Sequence, residues 1–179
     1  MSKIGRKHII LSSATVTING KKIAVSGPKA KFEHELPDGI EAKLEDKNLI
    51  LSISEDTRQN RMNWGMHRAL LANKVKGAEI GFEVKMKIVG LGYKAQATGK
   101  KIVFSLGYSH KINFDLPEGV EFASDKTGQN LVFKCTNNIL LGEVCATVRA
   151  FRPPEPYKGT GIMREGEVII RKAGKAKSA

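Results

Sequence analysis

Gly90-Leu91-Gly92-Tyr93-Lys94-Ala95 fits the G-x-G-x-x-G/A spacing of a dinucleotide site. That chemistry needs a helix directly after the glycines, whose N-terminal N–H groups meet the pyrophosphate. Thr98-Gly99-Lys100-Lys101 follows instead and reads as a turn between strands. The stretch is therefore expected to be a glycine-bearing loop at a sheet edge that brings Tyr93 and Lys94 to a partner. Other chemistries are missing. There is no Walker A sequence, no H-E-x-x-H and no nucleophile elbow. His8, His34, His67 and His110 are scattered, and each reads as a surface or capping residue. The carboxylates show no catalytic spacing: Asp38 and Glu118 fall in equivalent turns, and Asp56 is expected to help cap a helix. Cys135 and Cys145 lack metal-site spacing and read as reduced, buried thiols. The expectation is a protein that is not an enzyme, with no cofactor, no metal and no small-molecule substrate.

Positive charge is the stronger signal. The chain carries 30 Lys and Arg against 18 Asp and Glu, a net charge of +12 over 179 residues. An excess of this size favours a polyanion. An anionic membrane would compete, but no basic amphipathic helix and no apolar run of spanning length is present. Residues 149–179 hold eight basic and three acidic side chains, so the C-terminal end is the expected contact region. Its cations and aromatic are Arg152, Tyr157, Lys158, Arg164, Arg171, Lys172, Lys175 and Lys177, and Lys3, Arg6 and Lys7 form a smaller basic arm at the start. Arg can fork onto phosphate, whereas Lys acts as a point charge.

The elements that must position these residues come in two copies. Gly20-Lys21-Lys22-Ile23 recurs as Gly99-Lys100-Lys101-Ile102, and Leu36-Pro37-Asp38-Gly39 as Leu116-Pro117-Glu118-Gly119. Asn48-Leu49-Ile50-Leu51 recurs as Asn130-Leu131-Val132-Phe133, and Val75-Lys76-Gly77 as Tyr157-Lys158-Gly159. The offsets of 79, 80, 82 and 82 describe a tandem pair of modules, too few for a solenoid. Each reads as short strands followed by one helix. In the first, Val16 and Ile18 alternate before the hairpin signal Asn19-Gly20. Met62, Met66, Ala69 and Leu70 recur at helical spacing, with the methionines as core filler and Gly77 as C-cap. In the second, Phe82–Ile88 alternates apolar and charged, Asn138 is the expected N-cap, and Leu141, Val144, Val148 and Phe151 line a helical face. The expected class is α+β: two tandem, duplicated domains, each an antiparallel sheet with one helix packed on it, plus basic terminal arms. Boundaries are expected at 1–82, 83–152 and 153–179, the last a proline-rich basic arm with a strand-like run at Val168-Ile169-Ile170.

Three prolines within Pro153–Pro156 bar a helix or a central strand there, and the backbone must run extended. Gly159 and Gly161 allow a sharp bend. This Pro-Glu-Pro-Tyr-Lys-Gly-Thr-Gly-Ile stretch resembles the C-terminal motif of the sixth protein of the large ribosomal subunit, bacterial type, and the resemblance extends over essentially the whole chain. The family usually carries lysine where this chain has Thr160, and it has a loop similar to Gly90–Ala95. The resemblance implies a structural constituent of the large subunit, on the ribosome in the cytoplasm. It implies binding to large-subunit ribosomal RNA near the base of the factor-binding stalk, beside neighbouring ribosomal proteins. Two other classes fit the residues alone: an adaptor that docks proteins on sheet edges, and a regulatory RNA-binding protein off the ribosome.

Overall fold

The computed structural model describes residues 3–174; Lys175 and Lys177 lie outside the described residues. The chain divides into two compact units. One holds the residues through Phe82 together with Thr136–Asn138, and the other holds Glu83–Cys135 and the residues from Ile139 onward.

In the first unit, strands β1 (Ile9–Ile10), β2 (Thr15–Asn19), β3 (Lys22–Ser26), β4 (Lys31–Glu35), β5 (Ile40–Glu45) and β6 (Asn48–Ile53) precede helix α1 (Arg58–Glu79). They form two antiparallel three-stranded sheets, β2-β3-β4 and β1-β6-β5. Gly20, at φ 60°, makes the two-residue turn that pairs Asn19 with Lys22. Ile23, Val25, Leu49 and Leu51 bury one face of their strands, and Trp64, Leu71, Val75 and Ala78 of α1 close the core over them. The apolar stripe of α1 is therefore rotated from the expected one. Met62 and Met66 are half exposed, at 54% and 51%, and are not core filler. Thr57, not Asp56, is the N-cap: its hydroxyl accepts from Asn60 N–H at 3.2 Å. Asp56 instead forks onto Arg61 at 2.5 and 2.7 Å.

Gly77 does not end α1 either. The helix runs through it to Glu79, and Gly81 (φ 82°) takes the left-handed position beyond the end. Gly77 is glycine because a Cβ there would lie 2.1 Å from the Thr136 carbonyl oxygen.

In the second unit, β7 (Phe82–Val89), β8 (Lys94–Thr98), β9 (Lys101–Ser105), β10 (Ile112–Asp115), β11 (Val120–Ser124) and β12 (Asn130–Cys135) precede α2 (Asn138–Phe151), and β13 (Gly161–Arg164) follows it. A three-stranded sheet runs β10-β9-β8 and a four-stranded sheet β11-β12-β7-β13. Each unit thus carries two sheets where one was expected. Helix α2 begins at Asn138 itself, so that residue opens the first turn and does not cap it. Leu141, Val144, Cys145 and Val148 of α2 are buried, as are Met86, Ile88, Phe104, Leu131 and Phe133 of the strands. Lys85 and Lys87 occupy the exposed side of β7. Both cysteines are buried and neither forms a disulfide among the described residues, and burial pushes the Cys145 thiol up.

The run Val168–Ile170 is not a strand, and its Val168 and Ile170 stand exposed. The last strand among the described residues is Gly161–Arg164 instead, antiparallel to β7 with Ile162 opposite Ile88. The prolines keep the chain out of the sheet only as far as Thr160. Gly161–Arg164 carries no proline, so its N–H groups can complete a ladder at the sheet edge.

One histidine is neither surface nor cap. His34 of β4 is 8% exposed; its Nε2 lies 2.9 Å from His67 Nδ1 and its Nδ1 3.1 Å from Lys74 Nζ. With the ammonium donating to Nδ1, the neutral ring carries its proton on Nε2 and donates it to His67. Burial first, then the Lys74 charge and then His67, lower the His34 pKa from 6.5 to about 4. Burial and Lys74 lower His67 as well.

Two predictions follow from these packings. Gly77→Ala would gain about 1 kcal/mol of helix propensity. The clash with a carbonyl held by the β12–α2 connection outweighs it, so the variant should lose about 1–3 kcal/mol in urea unfolding. For His34, the unfolded chain binds the extra proton between its ordinary pKa and the depressed folded one. Stability relative to His34→Gln should therefore be constant above about pH 7 and decline by at most about 3 kcal/mol as pH falls from 6.5 to 4, read from unfolding at each pH.

Candidate nucleic-acid interface

The segment after α2 folds into a closed loop on the second unit. The Glu155 N–H donates to the Thr160 carbonyl at 2.9 Å, and the Gly159 N–H to the Glu155 carbonyl at 3.0 Å. The Thr160 hydroxyl donates to Glu155 Oε2 at 3.1 Å and fastens the loop. At its base the Ile162 N–H donates to the Arg152 carbonyl at 2.8 Å. Gly161 sits at φ 140°, and a Cβ there would lie 2.7 Å from the Pro153 carbonyl oxygen. Only glycine lets the returning strand pass this close to the prolines.

A carboxylate clamp secures the far side. Glu167 accepts from Arg149 Nε at 3.2 Å and Nη2 at 2.5 Å, and from the Arg164 N–H at 3.1 Å. The Arg149 hydrogen bonds first, and the Arg164 amide next, hold the Glu167 carboxyl below the usual carboxylate range. Beyond the clamp the chain returns to the loop: the Lys172 N–H donates to the Pro156 carbonyl at 2.9 Å. The Arg171 guanidinium lies over Gly159, 3.0 Å from where a Cβ would stand.

This closure gathers Tyr157, Lys158, Arg171 and Lys172 at one place. Tyr157 is 54% exposed, and the three cations are exposed. Among the described residues no carboxylate lies within ion-pair distance of Lys158, Arg171 or Lys172. Arg152, at the loop base, is half-buried with its guanidinium 4.8 Å from the Tyr108 ring centre. Arg164 is exposed at the end of β13.

Tyr93 is placed differently from the expectation. Its half-buried ring packs on the backbones of Gly90 and Gly107, where a Cβ would come within 2.4 and 2.7 Å of it. It supports the neighbouring loop. Lys94 opens β8, exposed, and lines a groove with Lys126. No helix follows the Gly90–Ala95 loop, so no pyrophosphate cradle forms. Lys3, Arg6 and Lys7 are exposed but belong to the first unit, where Arg68 donates to the Lys7 and His8 carbonyls at 2.8 and 3.1 Å. Sequence reasoning missed Tyr108, His110, Arg149 and Glu167. The only available signal for the clamp was a basic residue in the last turn of α2, and for Tyr108 an aromatic beside a turn glycine.

Among the described residues no cluster of His, Cys, Asp and Glu could hold a metal ion. Among the same residues no helix is long and apolar enough to cross a membrane. Gly161→Ala should release the loop: amide exchange at Ile162 should rise at least tenfold, with a loss of about 1–3 kcal/mol in global stability.

Comparison with known proteins agrees with this architecture. The profile described as Ribosomal protein L6 matches residues 12–79 and 89–165, one segment in each unit. The large ribosomal subunit protein uL6 of Syntrophomonas wolfei is 45% identical over 177 residues, covering 98% of both chains. That of Azorhizobium caulinodans is 42% identical over 178 residues, 99% of this chain and all of the relative. That of a Synechococcus species is 40% identical over 176 residues, 98% of each. Matched through both units and along nearly its full length, the chain belongs to the ribosomal protein L6 family, whose members are structural, non-enzymatic proteins of the large ribosomal subunit.

Proposed function

We propose that the chain binds large-subunit ribosomal RNA, mainly through its second unit and C-terminal segment, and so supports translation on the cytoplasmic ribosome. The observation that carries this reading is the closed loop with Lys158, Arg171 and Lys172 exposed and unneutralised around it. Cations fixed on a rigid backbone lose little freedom on meeting phosphates, and each phosphate contact releases counterions. Recognition rests on RNA shape, because A-form helices bury their base edges in a deep groove. A position near the base of the factor-binding stalk rests on the family resemblance. The exposed Val168 and Ile170 supply apolar surface for a neighbouring ribosomal protein there.

Truncation after Arg152 would strip Ile162, which is fully buried, so charge-removing substitutions are the cleaner test. The triple variant Lys158→Gln, Arg171→Gln, Lys172→Gln should bind protein-free large-subunit RNA more weakly. Its log–log salt slope should be shallower by about 2 to 3, at 0.7–0.9 per phosphate contact. An unchanged slope would move the contact away from the loop and would favour a protein-docking role for it.

A further inference from the structure

The loop between β9 and β10 carries a set of stacked flat groups that the phosphate contacts leave unexplained. Tyr108 is 41% exposed; its ring centre lies 5.9 Å from that of His110, with the planes only 19° apart. The Arg152 guanidinium sits 4.8 Å from the same Tyr108 ring. The Tyr108 hydroxyl donates to the Phe151 carbonyl at 3.1 Å, which fixes the ring's direction. From beneath, Tyr93 packs on Gly107 (φ 77°), so the loop has a firm base.

This stack adds little to the core. His110 is exposed, and among the described residues it has no hydrogen-bond partner. An imidazole held nearly parallel to an oriented phenol is a good platform for another flat ring, because every nucleobase has a π-face and stacking tolerates any sequence. Arg152, whose guanidinium lies over the Tyr108 ring, adds a cation to the stack and strengthens it for electron-rich rings. Single-stranded RNA offers such rings in loops and bulges, where bases can be splayed out.

We infer that His110 and Tyr108, backed by Arg152, form a stacking site for one unpaired base of the RNA; this rests on the RNA-binding reading above. The base would extend the ladder beyond the exposed imidazole, at a site separate in chemistry from the phosphate-binding loop.

Stacking and phosphate contact separate in a salt series. With full-length protein and protein-free large-subunit RNA, His110→Ala should weaken binding by about 5- to 150-fold and leave the log–log salt slope unchanged. His110→Tyr should restore the affinity, because it returns a flat ring without charge. Tyr108→Phe, which keeps the ring and loses the Phe151 hydrogen bond, should weaken binding less than His110→Ala. If His110→Ala binds like the parent chain while the parent binds RNA, the stacking site is wrong and the RNA-binding reading survives. A slope shallower by about one unit would identify a phosphate contact and overturn the inference. Failure of the parent chain to bind would remove both readings together.

Discussion

The second unit depends on the backbone ladder between β13 and β7. Four residues return from the proline loop, place Ile162 in the core opposite Ile88, and bring the Ile162 amide onto the Arg152 carbonyl. The close passage of Gly161 against Pro153 sets the loop's width, and the Arg149–Glu167 clamp sets where the chain leaves the sheet. Among the described residues, Lys158, Arg164, Arg171 and Lys172 are held at their places by that return. Without it, the same residues would be a charged tail whose ordering on RNA would cost about 1–2 kcal/mol per residue in backbone entropy.

The two modules show how one scaffold reaches different ends. Val75-Lys76-Gly77 and Tyr157-Lys158-Gly159 stand at corresponding places in the repeat. The first triplet is helical, inside α1; the second lies in the closed loop after α2. The prolines at 153, 154 and 156 account for the difference, since a helix cannot continue through them. Both glycines are buried under a close neighbour, the Thr136 carbonyl in one case and the Arg171 guanidinium in the other. The position keeps its need for a missing side chain while its conformation and its use both change.

What could be read from the sequence follows from how local each signal is. Asn19-Gly20 and Phe82–Ile88 carry their turn and alternation within a few residues, and both stand as expected. The α+β class and the duplication also came from short, ordered matches. The phase of α1 was misread because Met62 and Met66 share a spacing with apolar neighbours, whereas Trp64 and Leu71 face the core. His34 looked like surface because its partners, His67 and Lys74, are distant in sequence. The loop's cations were visible as composition, but their convergence depends on a hydrogen bond from Lys172 to Pro156 that no pattern announces. Tyr108 and His110 were missed for the same reason: a stack against Arg152 joins residues more than forty positions apart.

The most direct test of the central claim is amide hydrogen exchange of the full chain, free and bound to protein-free large-subunit ribosomal RNA. The account predicts new protection concentrated in residues 152–172 and in the loop between β9 and β10, with the strands and helix of the first unit unchanged. Protection confined to the first unit, with the closed loop exchanging as it does in the free protein, would contradict it.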